Sequence, residues 1–486
     1  MIDQEFFGYA IADKRTTLVA HAADGMPSTY VVPGDWIPSA RADALESGGH
    51  KFPIRRGNDI HYYTEGKEVF AAMAKEIDQA KKGDLVAIVG WWLEFYCWFG
   101  EGRTVHDVLV DAAKRKAQVF VLLWAGPPEI DGVDLPCREN TVMNGETCAR
   151  LIEDSGGAIH ATLDGTAAVD GAHHMKVVLT RVDGVMTAFY GGMDITESRL
   201  GKGDRPWHDL HARVRGPVTQ DFFDVLRKRM EYVDEPVVED FAMEAAPAQE
   251  RAGSSRSRLA RTLGPDESDI EPMLRGAIER ARRYIYVEDQ YFWSDLRHQN
   301  GIGELLARKL KDVAHVTVLV PSDEKQYEPD VTLPNRESTL RSIVRVAGED
   351  SVKFGIYGHC WEFVHAKLWI IDDEIILTGS ANCALRSYHT DTEVLATDVN
   401  RIDAEWHRPG LTHARRLRMK IWSRLLRKPP EALLDPIASA AYFRELDANN
   451  KDNGIIEPNK IRGNYWRKEM GGEMPWRYWK SIVAGL

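Results

Sequence analysis

The feature that most constrains this 486-residue chain is that it repeats itself. Residues 67–80, KEVFAAMAKEIDQA, put Phe70, Met73 and Ile77 on one face of a helix. A break at Gly83-Asp84 leads into LVAIVGWW, an apolar run of the kind that makes a buried strand. Thr104 then reads as an N-cap, followed by a helical pattern through Val108, Leu109 and Ala112 and a second buried strand, QVFVLLW at 118–124. The same order recurs later. Ile270, Leu274, Ala277, Ile278 and Ala281 mark a helix, YIYVEDQYF (284–292) a strand, GIGELLARKLKDV a helix and HVTVLVP (315–321) a strand. Each series ends at a His-x-Lys element, at 174–176 and 365–367, so the repeat unit is roughly 190–200 residues. Helices alternating with buried strands predict an α/β fold in both halves, 1–240 and 259–430. FAMEAAPAQERAGSSRSR (241–258) reads as an exposed linker or surface loop. The tail, 431–486, carries Trp466, Trp476 and Trp479 and is expected to dock on the core.

The second His-x-Lys lies in VHAKLWIIDDEIILTGSANCALRSYHTDTE (364–393). Two residues apart on a strand, His365 and Lys367 project from one face. Asp372 follows after four residues, and Gly379-Ser380-x-Asn382 falls on the next strand. A hairpin would bring an imidazole, an ammonium and an amide to one point, which suits a phosphate diester. The first half offers HHMKVVLTRVDGVMTAFYGGMDITE (173–197), where His174 and Lys176 repeat the spacing and Gly191-Gly192-x-Asp194 stands in place of Gly-Ser-x-Asn. One His-x-Lys is weak evidence of chemistry; two in a matched repeat are strong.

These residues resemble the paired HxKxxxxD…GSxN motifs of the phospholipase D superfamily. Gly90-Trp91-Trp92, PWHDLHARVRGP (206–217), YVEDQYF (286–292) and DTE (391–393) also look like elements of its lipid-hydrolysing members, and the likeness covers most of residues 50–430. It implies two similar α/β halves, each a mixed sheet flanked by helices, packed as a pseudo-dimer around one active site. It further implies that His174 attacks phosphorus to form a phosphohistidine while His365 serves as general acid and base. Lys176, Lys367 and Asn382, with Ser380 and Asp194, are expected to bind the phosphoryl oxygens. Matched by position, Glu393 would orient His174 and Asp209 would orient His365, each from the opposite half. The sequence departs from the family where an aspartate is expected: position 181 is Arg181, and the acid, Asp183, comes two residues later in an Asp-Gly that reads as a lengthened hairpin turn. Asp183 is therefore either the displaced motif acid or a turn residue, whereas Asp372 keeps the motif spacing.

The expected substrate is a glycerophospholipid such as phosphatidylcholine or phosphatidylethanolamine, hydrolysed to phosphatidic acid and a headgroup alcohol, with headgroup exchange where an alcohol replaces water. A phospholipid synthase of the cardiolipin or phosphatidylserine type uses the same motifs and is the second reading; a nuclease is the third. The formal net charge of −12 argues against nucleic acid as partner. An antibacterial lipase effector and a lipid-binding protein without catalysis remain as alternatives of context and class. No metal or cofactor is required by this scheme. No apolar run approaches the ~20 residues that cross a bilayer, which weighs against the cardiolipin version. The first residues lack a secretory pattern, and five scattered cysteines fit unpaired thiols. A monomer is expected, cytoplasmic or exported without a cleavable signal, touching membranes transiently. The stretch WWLEFYCWF (91–99) serves as core, as a wall for lipid chains, or both. The basic amphipathic segment 412–428 fits a packed surface helix better than a membrane-lying one. His173, His208 and His211 read as structural.

Overall fold

A computed structural model describes residues 50–458 apart from 127–137, 168–170, 202–205, 234–246, 265–266, 294–300, 324–328, 401–411, 450–452 and 454, and before residue 50 only the short strands Tyr9–Ile11, Thr17–Ala20 and Tyr30–Val31. Two expectations therefore fall partly outside the described residues: the front of the linker, and the tail tryptophans Trp466, Trp476 and Trp479.

The helices and strands expected from hydrophobic period form where the period is longest. Gly66–Ile77 buries Val69, Phe70, Met73 and Ile77. Val105–Lys114 begins at Thr104, whose hydroxyl accepts the Asp107 N–H while Asp107 caps the Thr104 N–H in return, a reciprocal arrangement whose cap is worth about 1 kcal/mol. Gln118–Trp124 and His315–Pro321 are strands as expected. The strand expected over 284–292 stops at Glu288, because the Asp289 carboxylate accepts the Tyr291 and Phe292 N–H groups and turns the chain out of the sheet.

Each half builds the same mixed sheet. In the first, Ile159–Asp164, Gln118–Trp124 and Leu85–Gly90 run parallel; Lys176–Val182, Val185–Gly191, His211–Arg215 and Arg55–Tyr63 continue antiparallel. In the second, Phe354–His359, His315–Pro321 and Tyr284–Glu288 are parallel, followed by Leu368–Ile371, Ile375–Gly379, Glu393–Val399 and Leu259–Thr262. The two sheets are one. Ser255–Ser257, expected to be linker, is a strand that pairs with Arg55–Tyr63 on one side and with Glu393–Val399 on the other. Its main-chain N–H and C=O groups are satisfied by closing the gap between the halves.

Alternate residues of the strands face opposite layers. Val86 and Ile88 meet the helices of the first half, while Leu85, Ala87 and Val89 join a second core with Phe222, Phe223 and Leu226 of the helix Thr219–Glu231. Leu259, Val394 and Ala396 from the second half enter that same core, so burial as well as pairing ties the halves together. The segment expected to be a surface helix is His413–Leu426, and it is docked. Its Arg418 is fully buried in a bidentate pair with Asp373, at 2.7 and 2.9 Å. None of the described helices is long and apolar enough to cross a membrane.

Candidate active site

Strand direction decides where the chemistry can gather. The expected strand for the His-x-Lys pairs begins only at their end, at Lys176 and at Leu368, and in both halves it starts where the neighbouring parallel strand ends, with Lys176 opposite Gly90 and Leu368 opposite Glu288. The histidines thus lie at the edge of the sheet reached by the carboxyl ends of the parallel strands, where crevices open in α/β folds. The strand that follows Asp209 and the strand that begins with Glu393 start at the same edge, with His211 opposite Gly191 and Leu395 opposite Gly379.

The halves then exchange partners. The His174 N–H donates to the Thr392 carbonyl at 3.0 Å, and the His365 N–H to the His208 carbonyl at 2.8 Å. The residue after each carbonyl supplies an acid: His174 Nδ1 lies 2.9 Å from Glu393 Oε1, and His365 Nδ1 lies 2.8 Å from Asp209 Oδ2. Both cross-half pairings expected from position are present. With Nδ1–H given to a carboxylate, each ring is left with Nε2 as its reactive nitrogen.

Gly191 and Gly379 permit this closeness. A Cβ at Gly379 would stand 2.1 Å from the Val394 carbonyl oxygen, and one at Gly191 would stand 2.4 Å from that of Leu210. Gly192 makes room for Asp209 itself, since a Cβ there would fall 2.1 Å from its Oδ1.

Lys176 and Lys367 are buried beside the rings, each donating to the carbonyl of its own histidine, at 2.9 and 2.5 Å. Burial brings the Lys367 ammonium down to about 8, the nearby Asp209 and Asp289 opposing it. Burial likewise holds both imidazoles well below their usual range, the neighbouring ammonium groups adding to the effect, while it pushes the carboxyls of Asp209 and Glu393 up. We read the resting dyads as neutral imidazoles hydrogen-bonded to carboxylates that the lysines keep ionised. The amide of Asn382 is buried, and its Oδ1 has no hydrogen-bond partner among the described residues, which leaves it for a ligand.

Aromatic rings wall the site. Trp91 stacks on Trp124, lies 6.0 Å from the His174 ring and has the Lys176 ammonium 5.3 Å from its centroid; Trp207 lies 4.9 Å from His365. In the stretch 91–99, Leu93, Cys97 and Phe99 are core, Tyr96 is exposed, and Trp91 stands beside the His174 ring.

Four expected site residues take other places. Asp372 sits in the turn at the far end of its strand, accepting the N–H groups of Arg282, Arg283 and Tyr284 at 2.8–3.0 Å. It fixes the start of the neighbouring strand and does not reach the phosphate. Asp183 is a turn residue in the left-handed region, φ 49°, paired at the surface with Lys81. The carboxylate missing from the first hairpin stands on its neighbour instead: Asp84 accepts the Asp183 N–H at 2.9 Å. Asp194 is held by Arg199 at 3.0 Å and by the Trp92 N–H at 3.2 Å, with Lys176 at 3.5 Å. As an anion it would repel a phosphate; its role is to hold cations. The Ser380 hydroxyl accepts the Val394 N–H at 3.1 Å and lies against the Glu393 carboxylate, so it supports the His174 dyad.

Three residues around the site were not singled out in the sequence: Arg199, Ser387, and Gln290, which lies within the quoted stretch YVEDQYF. Ser387 Oγ donates to Glu393 Oε1 at 2.7 Å, and Gln290 Oε1 lies 3.5 Å from Lys367 Nζ. Of the histidines read as structural, His211 accepts the Met193 N–H at Nδ1, 3.4 Å away, while the buried Nε2 atoms of His173 and His211 have no hydrogen-bond partner among the described residues. His208 Nε2 meets Glu288 at 2.9 Å, and His173 meets Thr392 at 2.6 Å. His208, His359 and Glu362 converge closely enough to hold a metal ion. Yet His359 Nδ1 accepts the N–H groups of Trp361 and Glu362, which puts its proton on Nε2, and Arg424 already binds Glu362. A protonated nitrogen and a guanidinium make this an ionic network rather than a ligand set.

Comparisons with known proteins agree with this geometry. A family model described as cardiolipin synthase, PLD-like domain, matches residues 274–408. Cardiolipin synthase A of Pseudomonas putida (strain GB-1) is 24% identical over 366 residues, covering 73% of this chain and 68% of the relative. Cardiolipin synthase 1 of Staphylococcus aureus (strain MRSA252) is 24% identical over 358 residues, 71% of this chain and 64% of the relative. The solved structure of phosphatidylserine synthase from Haemophilus influenzae Rd KW20 shares the fold, with a TM-score of 0.54 over 74% of this chain and 86% of that one at 13% identity. The relatives are named synthases, which overturns the expectation of a hydrolytic phospholipase D. The motifs could not separate the two: both chemistries begin with the same attack on phosphorus and differ only in which oxygen completes it.

Proposed function

Because the chain belongs to the phospholipase D superfamily, we propose that it is a phospholipid synthase, moving a phosphatidyl group from a glycerophospholipid donor to an alcohol acceptor. The observation that carries this is the pair of histidine–carboxylate dyads, each made across the two halves, in a chain whose named relatives are cardiolipin synthases.

His174 Nε2 attacks the phosphorus of the donor. As the N–P bond forms, the bond from phosphorus to the headgroup oxygen breaks, and that oxygen takes the Nε2 proton of His365. The acceptor alcohol then enters, its oxygen attacking phosphorus as its proton passes to His365. The N–P bond breaks, and the new diester leaves with both imidazoles restored. Lys176, Lys367 and the Asn382 amide surround the phosphoryl oxygens and stabilise the charge of each five-coordinate state. The donor brings the proton balance with it: its anionic phosphate raises the proton affinity of the nearby ring, so His365 becomes charged when substrate is bound. Tryptophan walls beside both rings limit access of water and favour an alcohol as the second nucleophile.

The test is to supply phosphatidylglycerol in mixed micelles and analyse the products. Cardiolipin and glycerol are expected. Phosphatidic acid as the sole lipid product would overturn the transfer reading.

A further inference from the structure

The two dyads are alike in geometry but not in what stands behind them. Asp209 is backed by a cation. Arg199, in the short 3-10 helix Glu197–Leu200, is 5% exposed. Its Nη2 donates to Asp194 at 3.0 Å and its Nη1 to Ser198 at 2.9 Å, and its Nε lies 3.7 Å from Asp209 Oδ2, the same oxygen that holds His365. The guanidinium carbon lies 3.4 Å from the centre of the Trp207 ring, which also packs on His365 and Phe363. Glu393 is backed instead by the Ser387 hydroxyl. In that half the arginine of the corresponding loop, Arg386, is half exposed and binds Asp391.

We propose that Arg199 is a positioning residue that acts through Asp209 to fit His365 for the acid role, and so divides the labour between two otherwise symmetric imidazoles. A positive charge behind Asp209 draws off part of its negative charge. The imidazolium it supports then gives up its proton more readily to a departing alkoxide. Glu393 feels Lys176 and Lys367 but has hydroxyls and no guanidinium behind it, so the carboxylate on His174 keeps more of its pull on Nδ1–H, which makes Nε2 the better nucleophile. The groups facing His365 are Asp209, Lys367, Lys176, His174 and Trp207, with Arg199 behind. Arg199 lowers its proton affinity, whereas around His174 the carboxylates of Asp391 and Asp194 oppose the lysines. This role rests on the two-histidine transfer proposed above.

Arg199→Gln keeps a hydrogen bond to Asp194 without the charge, and Arg199→Lys keeps the charge. Each is compared with the unaltered chain on two donors: phosphatidylglycerol, whose alkoxide needs a proton, and phosphatidyl 4-nitrophenol, whose phenolate leaves without one. For Arg199→Gln, transfer from phosphatidylglycerol should fall by about tenfold or more, 4-nitrophenolate release by less than about threefold, and the basic limb of the kcat/KM profile should move to higher pH. Arg199→Lys should recover most of the loss. Equal losses on both donors, or an unmoved limb, would reduce Arg199 to a merely structural residue and overturn the proposal. If the unaltered chain turns over neither donor, the transfer reading itself fails and this role fails with it.

Discussion

An imidazole that attacks phosphorus must present a lone pair, and one that protonates a leaving group must present a proton. Both histidines here can do either through Nε2, because a carboxylate from the opposite half holds Nδ1. The roles separate by experiment. His174→Ala should abolish release from every donor. His365→Ala should cut transfer from phosphatidylglycerol by about a hundredfold or more, yet still release one equivalent of 4-nitrophenolate from the activated donor. That variant should accumulate a phosphohistidine at residue 174, seen by mass spectrometry of the intact protein, since the base for the second step is gone. A second expectation concerns Gly192. With a new Cβ 2.1 Å from Asp209 Oδ1, Gly192→Ala must displace the carboxylate, so it should mimic His365→Ala in its dependence on the leaving group while His174 still attacks.

At the scale of strands and helices, the acids of the hairpins hold the frame. Asp372 sits in a turn and takes the N–H groups that begin the adjacent strand; in the first half Asp84 begins that strand and takes an N–H from the turn. The same two elements are fastened with the carboxylate on opposite sides, and that is why Arg181 is tolerated where an aspartate was expected. Asp372→Ala would leave three main-chain donors unpaired, a loss of about 2–3 kcal/mol, with activity per folded molecule unchanged. Asp183→Asn should alter neither stability nor rate, because an exposed turn pairing contributes little. The next residue of the second turn, Asp373, docks a helix. Removing it strands the Arg418 charge in the interior, so Asp373→Ala should destabilise by about 3–5 kcal/mol. Denaturant unfolding measures all three.

Taken whole, the two halves share one large sheet and bring their histidines to one edge of it, and the pH dependence belongs to the pair rather than to either half. In the empty site, burial, the Lys367 and Lys176 ammonium groups and the Arg199 guanidinium keep His365 neutral; a bound phosphodiester anion favours its protonation. The basic limb of kcat should therefore lie at higher pH than that of kcat/KM. Lys367 loses its charge through about 8 in the empty site, so KM for phosphatidylglycerol should rise as pH passes that value; a flat KM up to pH 9.5 would contradict the place given to Lys367. Much of this was legible beforehand. Hydrophobic period set the core strands and helices, since burial on both faces of a sheet demands continuous apolar runs. Repetition with His-x-Lys set the two halves and the pair of histidines. The sequence also offered both acids, Asp209 and Glu393, through position in a family pattern. It gave Asp372, Asp194 and Ser380 places in the site and left Asp183 between motif acid and turn residue, because a motif records which residues recur and not whether a side chain meets substrate or backbone. Ser255–Ser257 read as linker because a strand of three residues carries too little period to be seen. Local pattern thus determined the elements and the type of chemistry. Only the tertiary structure decided that the sheets fuse, that each imidazole borrows its acid from the other half, and that a buried guanidinium stands behind one dyad and a hydroxyl behind the other. Those contacts join residues far apart in the chain, and local periodicity carries no information about such distances.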